Sequence, residues 1–174
     1  MFDKEVANEF FKYLIFWFVC CCIVGCILII FNIDLSDLML ANYLKDTVPA
    51  MKLLEQTTKY PQLAVSIGSV CWITGSIYMS VIVYKFSFSL IDHISSNMII
   101  LTILLLWGLI WYLYFGAGSP TLPGEHSGKL TRIVQLTQPG IIFNAALMWM
   151  LLMFSVTSLI GIIIYLMRKI FYGK

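Results

Sequence analysis

The 174-residue chain has little charge: 11% of its residues are Asp, Glu, Lys or Arg, and 60% are apolar. A soluble domain carries roughly a quarter charged residues, so with a mean hydropathy of +0.91 much of this surface must be solvated by lipid. Eleven basic residues against nine acidic ones leave a net charge of +2, without the basic stripe that nucleic-acid binding requires. No internal repeat or low-complexity segment is present, and the length leaves no room for a second soluble domain.

The chain also lacks the usual signatures of chemistry. Its five cysteines, Cys20, Cys21, Cys22, Cys26 and Cys71, all lie within apolar runs, which excludes a secreted disulfide framework. Cys22 and Cys26 stand one helical turn apart, yet no His, Asp or Glu accompanies them, so they read as small, soft packing residues. There is no metal-ligand spacing, phosphate-cradling glycine loop or activated nucleophile. No catalytic, cofactor-binding or metal site is therefore expected. His93 and His126 fall in separate loops, and Asp92 beside His93 reads as a solvated pair.

What is present is a set of uncharged apolar runs. A helix needs about 20 residues to cross the hydrocarbon core. Four segments qualify: Tyr13 to Ile33, Pro61 to Tyr84, Ile94 to Phe115 and Ile141 to Met167. The first is too long for a signal peptide and has no small-x-small cleavage site. Pro61 suits a first helical turn, and the Trp107, Trp111, Tyr112, Tyr114 cluster suits a headgroup interface. The expected fold is all-α: one polytopic membrane domain spanning residues 1–174, its four transmembrane helices forming a compact bundle.

Lys12, Lys85, Arg168 and Lys169 abut these spans on one side, and only Lys59 does so on the other. The positive-inside rule then places both termini in the cytoplasm and the loops 34–60 and 116–140 outside. In the first loop, Leu35, Leu38, Met39 and Tyr43 recur at helical spacing, with Asp34 or Ser36 available as an N-cap; this predicts a short helix on the membrane surface. The second opens on the turn-rich GAGSPTLPGEHSG, and the KLTRIVQLTQ that follows fits neither helix nor strand.

No span contains an ionisable side chain. Such groups mark ion paths, proton relays and substrate sites, and their absence argues against a transporter, proton channel or intramembrane enzyme working alone. Small residues form the informative pattern instead. Ala64, Gly68, Cys71 and Gly75 make a flat stripe on the second span, where a second backbone can approach closely. Ser69, Ser76 and Ser80 run beside it, with hydroxyls able to bond across a helix interface. The fourth span carries Asn144, Ser155, Ser158 and the Thr157/Gly161 pair, and Asn144 needs a polar partner, most simply a hydroxyl of the second span. These faces are candidates for helix packing or for docking a partner. The stripe places the second span at the centre of the bundle, whereas the third, rich in Ile, Leu and Trp, faces lipid.

In layout, the VPAMKLLEQTTKYPQLA approach to the second span, the Pro120/Pro123 loop and the Arg168/Lys169 ending resemble two groups of small plasmid-encoded inner-membrane protection proteins. One is the immunity proteins against pore-forming colicins of the A type; the other is the exclusion proteins of conjugative plasmids. The resemblance implies a bacterial inner-membrane protein without cofactor, in contact with membrane lipid, that binds the hydrophobic part of an invading membrane protein. Two alternatives stand beside it: a structural subunit of a secretion or conjugative-transfer complex, and a channel or transporter subunit. Topology is directly testable. A reporter active only in the cytoplasm should work when fused at residue 174 or near Asp92 and fail near Asp46 and Gly124; activity at the latter two inverts the orientation.

Overall fold

The computed structural model describes residues 4–89, 96–115 and 137–172. Among these the chain forms six helices and no strand: α1 (Lys4–Ile30), α2 (Met39–Thr47), α3 (Pro49–Thr57), α4 (Pro61–Phe86), α5 (Ser96–Phe115) and α6 (Gln138–Tyr172). Three of them, α1, α4 and α6, are long and apolar enough to cross a membrane; the apolar stretch of α5, Ile99–Tyr114, is shorter. The turn-rich second loop and its KLTRIVQL continuation lie outside the described residues, as do Asp92, His93, Glu125 and His126.

Helix boundaries differ from the uncharged runs for identifiable reasons. α1 begins at Lys4 rather than Tyr13, because charged residues such as Lys and Glu propagate a helix as readily as apolar ones. It stops at Ile30 through a Schellman ending. Asn32 takes the left-handed conformation (φ 48°), with Ile33 N–H donating to the Leu28 carbonyl at 2.9 Å and Asn32 N–H to the Ile29 carbonyl at 3.2 Å. α6 starts at Gln138, ahead of the expected Ile141. Thr137 caps it, its hydroxyl oxygen accepting from Gly140 N–H at 3.2 Å, and Pro139 is tolerated because a first-turn N–H has no intrahelical partner anyway. At the other end α6 runs past Met167 to Tyr172, where Lys169 complements the helix dipole.

The first loop holds two short helices instead of one. Pro49 drives the preceding Val48 into an extended conformation (φ −103°, ψ 107°), as proline does to the residue before it, so α2 ends there and α3 starts with Pro49 in its first turn. Neither Asp34 nor Ser36 caps α2, whose N-cap is Leu38 without a side-chain bond. Asp34 accepts from Ser36 N–H at 2.8 Å and from the Ser66 hydroxyl at 3.2 Å, while Leu35 N–H donates to Ser66 Oγ at 2.9 Å. This clasp ties the exit of α1 to the first turns of α4. Ala41, Val48 and Met51 are buried beneath α2 and α3 against Val65 of α4.

Cross-helix pairs give the directions. Phe10 meets Phe86 and Tyr78 reaches the Tyr13 carbonyl, so α1 and α4 are antiparallel. Trp17 meets Trp149 and Phe18 meets Phe143, so α1 and α6 are antiparallel too. Arg168 donates to the Phe88 carbonyl at 3.1 Å, which brings the end of α6 beside the end of α4. The start of α1, the end of α4 and the end of α6 thus share one end of the bundle. The centre is shared as well: α6 packs on α1, α4 and α5, while α4 packs on α1, α2, α3 and α6. α5 rests mainly on α6 and α3, and its Ile100, Leu101, Leu104, Leu105, Trp107 and Trp111 point outward.

The Schellman ending makes a prediction. Asn32→Gly should leave thermal stability in detergent unchanged, whereas Asn32→Val should lower it by about 1 to 2 kcal/mol, the penalty of a left-handed residue with a branched side chain. Equal melting of both variants would show that the conformation at residue 32 does not set the α1 ending.

Candidate functional site

The candidate residues of α4 line the inside of the bundle. Ala64, Gly68, Cys71 and Gly75 are all buried, and what the two glycines meet nearest is side chain rather than a backbone drawn close. A methyl added at Gly75 would stand 2.7 Å from Cε3 of Trp149, inside the indole of α6; one at Gly68 would stand 3.2 Å from the terminal methyl of Met51 in α3. The stripe is thus occupied by two large side chains of the same chain. Ser76, beside it, is exposed.

Trp149 is the hub of an aromatic cluster. Its ring lies 4.7 Å from that of Trp72 in a T-shaped arrangement and 6.4 Å from Trp17; Trp72 in turn meets Tyr114 of α5 at 6.2 Å. Offset and edge-to-face rings of this kind add to the stabilisation that burial alone provides. One residue therefore joins α1, α4 and α6 directly, and α5 through Trp72.

A second glycine contact has no counterpart in the sequence reading. At Gly25 of α1 an added methyl would meet Cγ2 of Ile142 at 2.5 Å, so Ile142 fills a notch in α1 much as Trp149 fills one in α4. The signal that could have found it is the Cys21/Gly25 pair at small-xxx-small spacing, both buried in α1.

The hydroxyls behave differently from expectation. Ser69, Thr74, Ser76, Ser80 and Ser155 each donate to the carbonyl four residues earlier in their own helix. Intrahelical bonding of this kind satisfies a hydroxyl in an apolar medium without a neighbour; Asn144 of α6 is half-buried. Thr157, Ser158 and Gly161 of α6 are buried, and the hydroxyls of Thr157 and Ser158 have no hydrogen-bond partner among the described residues.

Charged contacts lie at the bundle ends. Where α1 begins, Lys85 pairs with Glu9 at 2.6 Å, donates to the Tyr13 hydroxyl at 2.8 Å and sits 4.3 Å from the Tyr13 ring centroid. In the opposite loop, Lys45 and Glu55 link α2 to α3 at 3.5 Å. Among the described residues no group of three His, Cys, Asp or Glu is placed to hold a metal ion. The arrangement provides shaped apolar contact in the middle and polar anchorage at the ends. No family model, curated protein or solved structure matches this chain.

The glycine notches are separable by mutation. Gly75→Leu and Gly25→Leu drive a side chain into Trp149 and Ile142 and should each lower stability in detergent by roughly 1 to 3 kcal/mol, the usual range for overpacking. Gly68→Ala, facing the flexible end of Met51, should cost less. Gly108→Leu, with open space around its position, should be neutral. Equal tolerance at residues 25, 75 and 108 would remove the notch argument.

Proposed function

We propose that the chain is a non-catalytic inner-membrane binding protein that protects a bacterial cell from an incoming membrane-active machine, a bacteriocin or a conjugative apparatus. In this reading α5 is the fourth span, both termini are cytoplasmic, and α2 and α3 lie on the outer surface. The observation that carries it is where the polar and apolar groups stand. The spans contain no ionisable side chain to move a proton or ion, and the small-residue faces are filled from within. Among the outward apolar surfaces open to recognition are that of α1, with Ile15, Phe16, Ile23 and Ile27 outward, and that of α2, where Met39 is 91% exposed beside Leu38, Leu40 and Tyr43. An invading hydrophobic helix meets the first inside the bilayer and the second at its edge.

The test is expression of the chain alone, followed by challenge with pore-forming bacteriocins and with conjugative donors. Met39→Ser combined with Tyr43→Ser removes outward side chains without touching Ala41, Val48 or Met51, and should abolish protection while insertion and melting stay unchanged. Substitution of Asp92, His93, Glu125 or His126 should leave protection intact. A measurable flux or reaction that depended on any of those four would replace binding with transport or catalysis.

A second reading, a structural subunit of a secretion or transfer complex, is favoured by the continuous outward face of α1, which no other described helix covers. A complex of fixed stoichiometry in unchallenged cells, with no protection, would select it.

A further inference from the structure

Where α1 ends and α4 and α6 begin, the chain forms a half-open recess of about 320 Å³ that the helix packing does not fill. Its lining is divided. Leu28, Ile29 and Leu63 line it with apolar surface; Asp34, Lys59 and Gln138 line it with polar groups. Asp34 is positioned rather than loose. Both of its bonds, from Ser36 N–H and the Ser66 hydroxyl, fall on Oδ1, leaving Oδ2 uncommitted among the described residues. The hydrogen bonds from Ser36 hold this carboxyl below its ordinary value against the opposing effect of burial, with Ser66 adding a lesser contribution, so it stays ionised at neutral pH. Lys59 makes no ion pair among the described residues, although Asp34 lines the same recess.

A ligand suited to this recess carries an ammonium group with N–H bonds for Asp34, an anion for Lys59 and an apolar portion for Leu28, Ile29 and Leu63. The depth is that of a lipid head group, since the recess sits at the ends of α1 and α4, both long and apolar enough to cross a bilayer. We infer that it binds a phosphoethanolamine head group, the ammonium on Asp34 and the phosphate on Lys59, with the acyl chains leaving along the apolar wall. The inference rests on α1 and α4 crossing a membrane, but not on any protective role.

Native mass spectrometry of the full chain, released from detergent micelles supplied with equal amounts of phosphatidylethanolamine, phosphatidylcholine and phosphatidylglycerol, tests it. Phosphatidylethanolamine should be retained about tenfold over the other two. Phosphatidylcholine has no N–H to donate and phosphatidylglycerol has no cation, and a hydrogen bond between charged groups is worth at least that factor. Asp34→Asn keeps the acceptor for Ser36 and Ser66 and should reduce phosphatidylethanolamine to the phosphatidylcholine level. Lys59→Gln, at an exposed position, should weaken all three phospholipids. Equal retention of the three by the native chain, or unchanged selectivity in both variants, overturns the assignment. Soluble phosphoethanolamine that displaces the lipid at equal concentration would show a site for the free compound and overturn the lipid reading. A chain that stays dispersed without detergent and retains no lipid would refute the membrane placement itself, an outcome distinct from loss of selectivity alone.

Discussion

The bundle depends on the indole of Trp149 seated against Gly75. In lipid, helices gain little from hiding apolar surface, because the acyl chains are as apolar as the side chains they replace; association then rests on close packing and a few polar bonds. A large rigid ring in a notch that only glycine leaves open is the strongest form such packing takes. The indole also touches Trp72 and Trp17, so one contact sets the relative positions of α1, α4 and α6. Ile142 in the Gly25 notch supplies a second fixed point seven residues earlier on α6. With two knobs from one helix entering notches in two neighbours, neither neighbour can slide or rotate independently of α6.

How much of this was legible follows from what each signal encodes. Long uncharged runs report the cost of charge in hydrocarbon, and they locate α1, α4 and α6 without ambiguity. They are silent about helix ends, which are decided by single residues: Asn32 accepting a left-handed turn, Thr137 capping α6, Pro49 splitting α2 from α3. The stripe of Ala64, Gly68, Cys71 and Gly75 marks a surface open to close approach, but small residues on one helix do not say whether a backbone or a side chain will fill the space. Trp149 and Met51 fill it, and nothing in their own local sequence announces that. Gly25 makes the same point on α1: the short Cys21/Gly25 pair marks a notch without saying that Ile142 fills it.

The hydroxyls give the same lesson from the polar side. Serine beside a small-residue stripe suggests bonding between helices, yet a hydroxyl in a helix always has a carbonyl one turn back within reach. Ser69, Ser76 and Ser80 take that carbonyl. Polar adhesion between elements moves to the ends instead, where water or head groups can share in it: Lys85 with Glu9 and Tyr13 at one end, Ser66 with Asp34 and Leu35 at the other.

That division bears on how such a protein can act. A middle held by shape alone tolerates no polar cavity, so selectivity for a partner or a lipid has to be expressed at the ends or on outward faces. The two ends are unlike. At the end shared by the start of α1 and the ends of α4 and α6, Lys85 and Arg168 are engaged by Glu9 and by the Phe88 carbonyl. At the other, Asp34 keeps one oxygen uncommitted and Lys59 has no ion pair among the described residues, and α2 turns Met39 and Tyr43 outward. Groups already engaged within the chain must be released before they can bind anything else, which makes the engaged end the costlier place for recognition. The end formed by Asp34, Lys59 and α2 is where contacts with lipid or protein can form without first breaking contacts that hold the bundle together.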